Sequence, residues 1–168
     1  MERSNKIKDI AIMGMMVAIL EILKFALMAL PNIEAVTLMI IIFTLYIGKK
    51  AFLVVTAFSL VECIIWGFGL WSIGYFYIWP ILVLVTLIFK KSNNSLLWAI
   101  IAGFFGLFFG AFFAIIYVFT SGYEAAISYW ISGIPFDIIH CIGNFTITLV
   151  AFKPLYNIAN KIKKSKLM

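Results

Sequence analysis

Asp137, His140, Cys141, Asn144 and Thr148 stand at offsets of 0, 3, 4, 7 and 11 along the chain. On a helix those offsets share one face, so an acid, an imidazole, a thiol, an amide and a hydroxyl form a single stripe. Ser59, Glu62 and Trp66 make a similar stripe, as do Trp71, Tyr75 and Trp79, and Tyr123, Tyr129 and Trp130 precede the first one. Carboxylates, one histidine, an amide and several large rings suit a planar, polar heterocycle held by stacking and a few hydrogen bonds. Glu34, Glu62 and Asp137 against Lys24 leave an acidic excess, which favours a ligand carrying an amine or a cationic ring.

Each residue also has a plainer role open to it. Trp and Tyr gather at membrane interfaces without touching a ligand. Asp137, two residues after Pro135, could complement the dipole of its own helix. Glu21 and Lys24, three apart, could neutralise each other, and His140 could be a packed side chain bonded to a neighbour. Glu62 has no basic neighbour on its own helix.

Other chemistries are excluded by what the motifs lack. Gly48-Lys49-Lys50 lacks the upstream glycine of a phosphate-binding loop. There is one histidine, and Cys63 and Cys141 both lie inside apolar runs, so neither a metal site nor a disulfide framework is expected. No nucleophile, base and acid form a catalytic arrangement. The chain therefore reads as a binding protein that is not an enzyme, with no cofactor and no metal.

The elements that must position these residues are apolar. Hydrophobic residues make up 65% of the chain and charged residues 12%, against roughly 25% charged in a soluble domain, and the mean hydropathy is +1.13. One soluble core of 168 residues could not hide that surface; lipid is the solvent that fits it. The expectation is an all-α polytopic membrane protein, one domain over residues 1–168, with about six transmembrane helices. They are read as Ile7–Leu30, Ala35–Ile47, Ala51–Phe68, Trp71–Phe89, Ser95–Phe119 and Pro135–Ala159, with Pro80 as a kink. The charged start, Met1 to Asp9, leads into a first span too long for a cleaved signal core.

Basic residues set the expected orientation. Arg3, Lys6 and Lys8 precede the first span, Lys49 and Lys50 follow the second, Lys90 and Lys91 follow the fourth, and Lys161, Lys163, Lys164 and Lys166 form the tail. The other connections carry no Lys or Arg. That alternation places both termini in the cytoplasm, so the net charge of +6 is a topology signal and not a nucleic-acid surface. Of the charges at membrane depth, only Lys153 then falls in the inner half. Small residues recur at Ala102, Gly106, Gly110 and Ala114, and again at Gly14 and Ala18 with Ala11 on a neighbouring turn, where helices can approach closely.

Taken together, the size, the six expected spans and the small-residue motif of the first one resemble the S components of energy-coupling factor (ECF) transporters. The stretch Trp130-Ile-Ser-Gly-Ile-Pro-Phe-Asp-Ile-Ile-His-Cys-Ile-Gly-Asn144, followed by Phe152-Lys-Pro-Leu-Tyr156, is similar to the final helix of such proteins. The resemblance implies a substrate-capture subunit in a prokaryotic cell membrane. Such a subunit takes a vitamin-like micronutrient from outside and delivers it by toppling against a membrane-embedded coupling subunit driven by two ATPases. It implies a pocket built by the fourth to sixth helices and the outer loops; the residues read from their own types and spacing as pocket candidates are Glu62, Trp66, Trp71, Tyr75, Trp79, Trp130, Asp137, His140 and Asn144. It also implies a partner face at Ala11, Gly14 and Ala18, where a glycine stands in place of the first alanine of the family's AxxxA motif. A self-contained, proton-coupled transporter of a small amine or heterocycle, with Glu62, Asp137 and His140 as relay, is the alternative.

Overall fold

A computed structural model describes residues 2–165, with side chains described for 7–163; Lys166 and the side chains of Arg3, Lys6 and Lys164 lie outside the described residues. The described chain is helical: α1 (Glu2–Leu27), α2 (Val36–Ile47), a 3-10 turn (Gly48–Lys50), α3 (Ala51–Trp66), α4 (Leu70–Ile88), α5 (Ser95–Leu107), α6 (Phe109–Ser121) and α7 (Tyr123–Ser165). Five continuous stretches are long and apolar enough to cross a membrane: Ile7–Leu27, Val36–Trp66, Leu70–Ile88, Ser95–Ser121 and Tyr123–Lys163.

The second of these stretches is folded back on itself. Gly48 closes α2 at φ 64°, a left-handed geometry that glycine adopts without the Cβ penalty. Lys50 bonds Asp9 at one end of the bundle and Lys24 bonds Glu62 at the other, so α1 and α3 run parallel. Tyr46, at the end of α2, lines one cavity with Asp9 and Ile12 from the start of α1, so α2 runs antiparallel to both. Lys163 lines that same cavity; the described ends of the chain therefore meet at one end of the bundle. Lys8, Lys49, Lys50, Lys90, Lys91, Lys161 and Lys163 all belong to this basic end, and the opposite connections, at 28–35, 67–69 and 122, hold no Lys or Arg.

Close glycine contacts bring α5 and α6 against α7. A Cβ at Gly106 would stand 2.9 Å from the His140 carbonyl, and one at Gly103 would stand 3.3 Å from the Phe145 Cβ. Trp98 stacks on Phe152 and Tyr117 on Tyr129, giving an antiparallel run along most of α7. The expected fifth span, Ser95–Phe119, is bent at Phe108, where backbone bonds from Phe108 to Phe104 and from Phe112 to Phe108 carry the ladder through. The stripe of small residues sits on both sides of this bend, and glycine-rich turns are where helices bend.

The largest departure from expectation is α7. Its helix begins at Tyr123, twelve residues before Pro135, and runs 43 residues with Pro135 and Pro154 inside it. Tyr123, Tyr129 and Trp130 are therefore helical residues and not part of an outer loop. Proline removes one hydrogen bond and kinks a helix, but packing along α5 and α6 holds this one continuous. At 1.5 Å per residue α7 is roughly 64 Å long, about twice the hydrocarbon thickness of a bilayer. Its first turns run alongside α6, where Tyr117 stacks on Tyr129.

Buried polar groups and an apolar exterior set the chain apart from a soluble protein. Glu62, Ser59, Ser72, Thr86, Asn144 and Thr148 are buried to within about 1% of full enclosure, whereas Ile64, Phe119 and Val150 are more than 70% exposed. Exposed apolar side chains cover the outside of the bundle, as a lipid solvent requires. Phe58, Ile78, Leu82 and Trp98 fill its middle.

Candidate functional site

Two cavities open at the end away from the lysines, and Phe109 and Phe113 line both. The larger, about 370 Å³, lies between α6 and α7 and is lined by Asn32, Gly110, Tyr129, Ser132, Phe136 and Asp137 with the two phenylalanines. The smaller, about 220 Å³, lies between α1, α3, α4 and α6 and is lined by Lys24, Glu62, Trp66, Trp71 and Tyr75 with the same pair. They are two chambers of one cleft, sharing a wall of tilted phenyl rings 5.3 Å apart.

In the smaller chamber Lys24 reaches from α1 to Glu62 on α3. Glu62 is completely buried, and its Oε1 has no partner among the described residues; Glu21, 9% exposed, has none at either oxygen. Glu21 lies close enough to feel the charges of both Glu62 and Lys24. The expected Glu21–Lys24 pair is thus replaced by a pairing across helices, and Glu62, which has no basic neighbour on its own helix, finds one on α1. The α4 stripe forms a ladder of edge-on rings, Trp71 to Tyr75 at 5.3 Å and Tyr75 to Trp79 at 5.4 Å. Trp71 and Tyr75 line the chamber, while Trp79 is buried against Phe58, Phe105 and Phe109.

In the larger chamber the Asp137 Oδ1 accepts a hydrogen bond from the Gly110 amide at 3.0 Å. That amide belongs to the first turn of α6, just past the bend, so Asp137 caps a neighbouring helix and not its own, as its place beside Pro135 had suggested. A helix break inside a membrane protein is tolerated where a side chain satisfies the freed backbone group. Asp137 Oδ2 has no partner among the described residues.

Below the chambers the rest of the α7 stripe is buried, as its spacing predicts: His140 at 5%, Asn144 at 1% and Thr148 at 0%. His140 Nε2 lies 3.2 Å from Glu34 Oε1, and its ring meets Phe109 edge-on at 4.9 Å. Glu34 Oε2 accepts from the Thr37 amide at 2.8 Å, fixing the first turn of α2, and Asn144 donates to Thr37 Oγ1 at 3.2 Å. His140 and Asn144 therefore tie α7 to the start of α2 beneath the larger chamber and line neither cavity. Trp130, 40% exposed, lines neither as well. Glu34, Thr37, Phe109 and Phe113 were not singled out as pocket residues from sequence, and Lys24 was read only as a counter-charge; Glu34 and Thr37 hold the site, and the other three line it.

Glu34 sits in the connection before α2, where its titration is instructive. Burial raises its pKa, but hydrogen bonds with His140 and Thr37 and the imidazole charge outweigh that, holding the carboxyl below its ordinary 4.5. A depressed carboxylate contributes stability that is complete above the unfolded value and is lost as pH falls through the folded one. The stability advantage of the native chain over Glu34→Gln accordingly shrinks as pH falls below about 4.5. Thermal unfolding of both in detergent across that range measures the difference; a gap unchanged by acid would rule out the ionised contact.

Built of helices and apolar on its outer surface across the described residues, the chain is a helical membrane protein. Compared with protein-family models, curated proteins and solved structures, it matches none.

Proposed function

We propose that this chain is the substrate-capture subunit of an energy-coupling factor importer in a prokaryotic cell membrane. It has six spans, both termini in the cytoplasm, and takes a vitamin-like heterocyclic micronutrient from outside. The observation that carries this reading is the two-chambered cleft, with buried carboxylates and packed aromatic rings, at the end opposite the basic connections. By the positive-inside rule the lysine end is cytoplasmic, so the cleft faces the outside. Val36–Trp66, folded at Gly48, counts as two spans, and α5 with α6 as one bent span.

A capture subunit needs a blind pocket, and this cleft fits one. The lining of its chambers shares no residue with the groove of about 660 Å³ between α1, α2 and α7 near the basic end, and packed core lies between them. A transporter working alone would need a site reachable from both sides near the midplane. Delivery then depends on partners: a membrane-embedded coupling subunit and two ATPases. The face for the coupling subunit is Ala11, Gly14 and Ala18, all exposed on α1, with nothing within 4 Å of where a Gly14 Cβ would stand.

The test is a thermal-shift screen of the purified protein in detergent against vitamins and their precursors, without ATP or partners. A ligand at 100 times its Kd stabilises by about 2.7 kcal/mol, a shift of several degrees. One clear hit, abolished by Glu62→Gln or Asp137→Asn, is expected. A folded sample that no compound stabilises would argue against capture by this chain alone.

A further inference from the structure

We infer that the smaller chamber is a cation site whose resting occupant is the Lys24 ammonium, and that a substrate bearing a protonated amine or ring nitrogen takes its place. This rests on the capture reading and names the chemical class the site selects. The Lys24 Nζ is enclosed as a ligand cation would be. It bonds the Glu62 carboxylate and lies 5.3 Å from the Tyr75 ring centre and 5.9 Å from that of Trp66, both within cation–π range.

The chamber holds more acceptor capacity than Lys24 uses. Glu62 Oε1 is buried and takes no bond from Lys24, and Glu21, which lies against Glu62 behind the chamber lining, adds a second acidic group beside it. The partners differ in mobility. Glu62 is fully enclosed, whereas the Lys24 side chain is 30% exposed on a flexible four-carbon stem beside the opening. A buried carboxylate stripped of its counter-charge is costly, which explains why the protein supplies a cation of its own. Exchanging one ammonium for another leaves the charge balance intact while Lys24 swings into water. A neutral ligand has nothing to displace Lys24 with, and an anion meets the Glu62 carboxylate. The ring of an aromatic amine would then lie against Phe109 and Phe113, the wall shared with the larger chamber.

An internal cation competes with every ligand cation for the cage. If it leaves the cage open in a tenth of molecules or fewer, removing it tightens apparent affinity about tenfold or more. The experiment uses full-length protein in detergent at neutral pH with three probes of one shape: benzylammonium, benzyl alcohol and benzoate. Binding is read from tryptophan fluorescence and thermal shift in the native chain, Lys24→Met and Glu62→Gln. Lys24→Met is expected to bind benzylammonium about tenfold more tightly than the native chain, with no gain for the other two probes, and Glu62→Gln to lose it. A second readout needs no variant: benzyltrimethylammonium, which has no N–H, should expose Lys24 of the native chain to reductive methylation, counted by mass spectrometry.

Benzoate binding that Lys24→Met abolishes would make Lys24 an anion anchor and overturn the inference while leaving capture intact. Absence of any gain for benzylammonium in a folded Lys24→Met, or Lys24 labelling that saturating cation leaves unchanged, would overturn it too. The screen of heterocycles tests capture itself and does not depend on Lys24.

Discussion

Leucine at position 106 is expected to leave no folded, monodisperse protein, and alanine there to lower the unfolding midpoint by several degrees. A Cβ at Gly106 would stand 2.9 Å from the carbonyl carbon and oxygen of His140 and 3.0 Å from the Cys141 amide. These are backbone atoms of a helix, which cannot rotate aside as a side chain can. Forcing a methyl group into such a contact costs about 1–3 kcal/mol, and a leucine must push α7 bodily away from α5. That displacement would also break the bonds from His140 to Glu34 and from Asn144 to Thr37. Gly14→Leu is the control. Nothing lies within 4 Å of a Cβ there, so the midpoint should stay within a degree or so of native. If α1 is the face for the coupling subunit, Gly14→Leu should still bind substrate yet fail to assemble with that subunit. Size-exclusion profiles and thermal midpoints in detergent decide the stability half; a native-like Gly106→Leu would mean that α5 and α7 are not in contact at that depth.

These two glycines show what a sequence of this kind makes legible and what it hides. Spacing identifies a face, so the buried stripe on α7 and the ring ladder on α4 are readable from residue types alone. It does not say which way that face turns among its neighbours. Gly106 and Gly14 sit in similar small-residue patterns, and only one of them is packed. Phe105 and Phe113 are buried while Phe104 and Phe108 face outward, a distinction that a phenylalanine-rich run cannot reveal. Pairings across helices are hidden for the same reason: Lys24 and Glu62 are 38 residues apart, and Glu34 and His140 are 106. Glu34 reads from the sequence only as part of an acidic excess, because spacing does not reveal its bonds to His140 and Thr37. The early start of α7 was masked by Pro135, whose ordinary signal is a helix beginning. Packing against α6 overrides that signal.

Asp137 joins stability to binding, and two substitutions separate the roles. Asp137→Ala removes the acceptor of the Gly110 amide at the bend between α5 and α6, a part-buried bond in the wall of the larger chamber. Such a hydrogen bond contributes about 0.5–1.5 kcal/mol net, so the midpoint should fall by a few degrees. Asp137→Asn keeps an oxygen where Oδ1 accepts from Gly110 at 3.0 Å and should restore most of that loss. It cannot restore Oδ2, which is buried, unpartnered and part of the wall of the larger chamber. In the asparagine variant a donor amide replaces that acceptor and the charge disappears. A hydrogen bond to a charged group is worth about 1.5–3 kcal/mol, so substrate affinity should weaken by roughly 10- to 100-fold. The alanine variant should lose both stability and binding, the asparagine variant binding alone. Titration of the screened ligand into both, with midpoints measured on the same samples, reads the two effects independently. Native affinity in Asp137→Asn would confine this carboxylate to its structural bond, and the recognition chemistry would then rest on the chamber around Glu62.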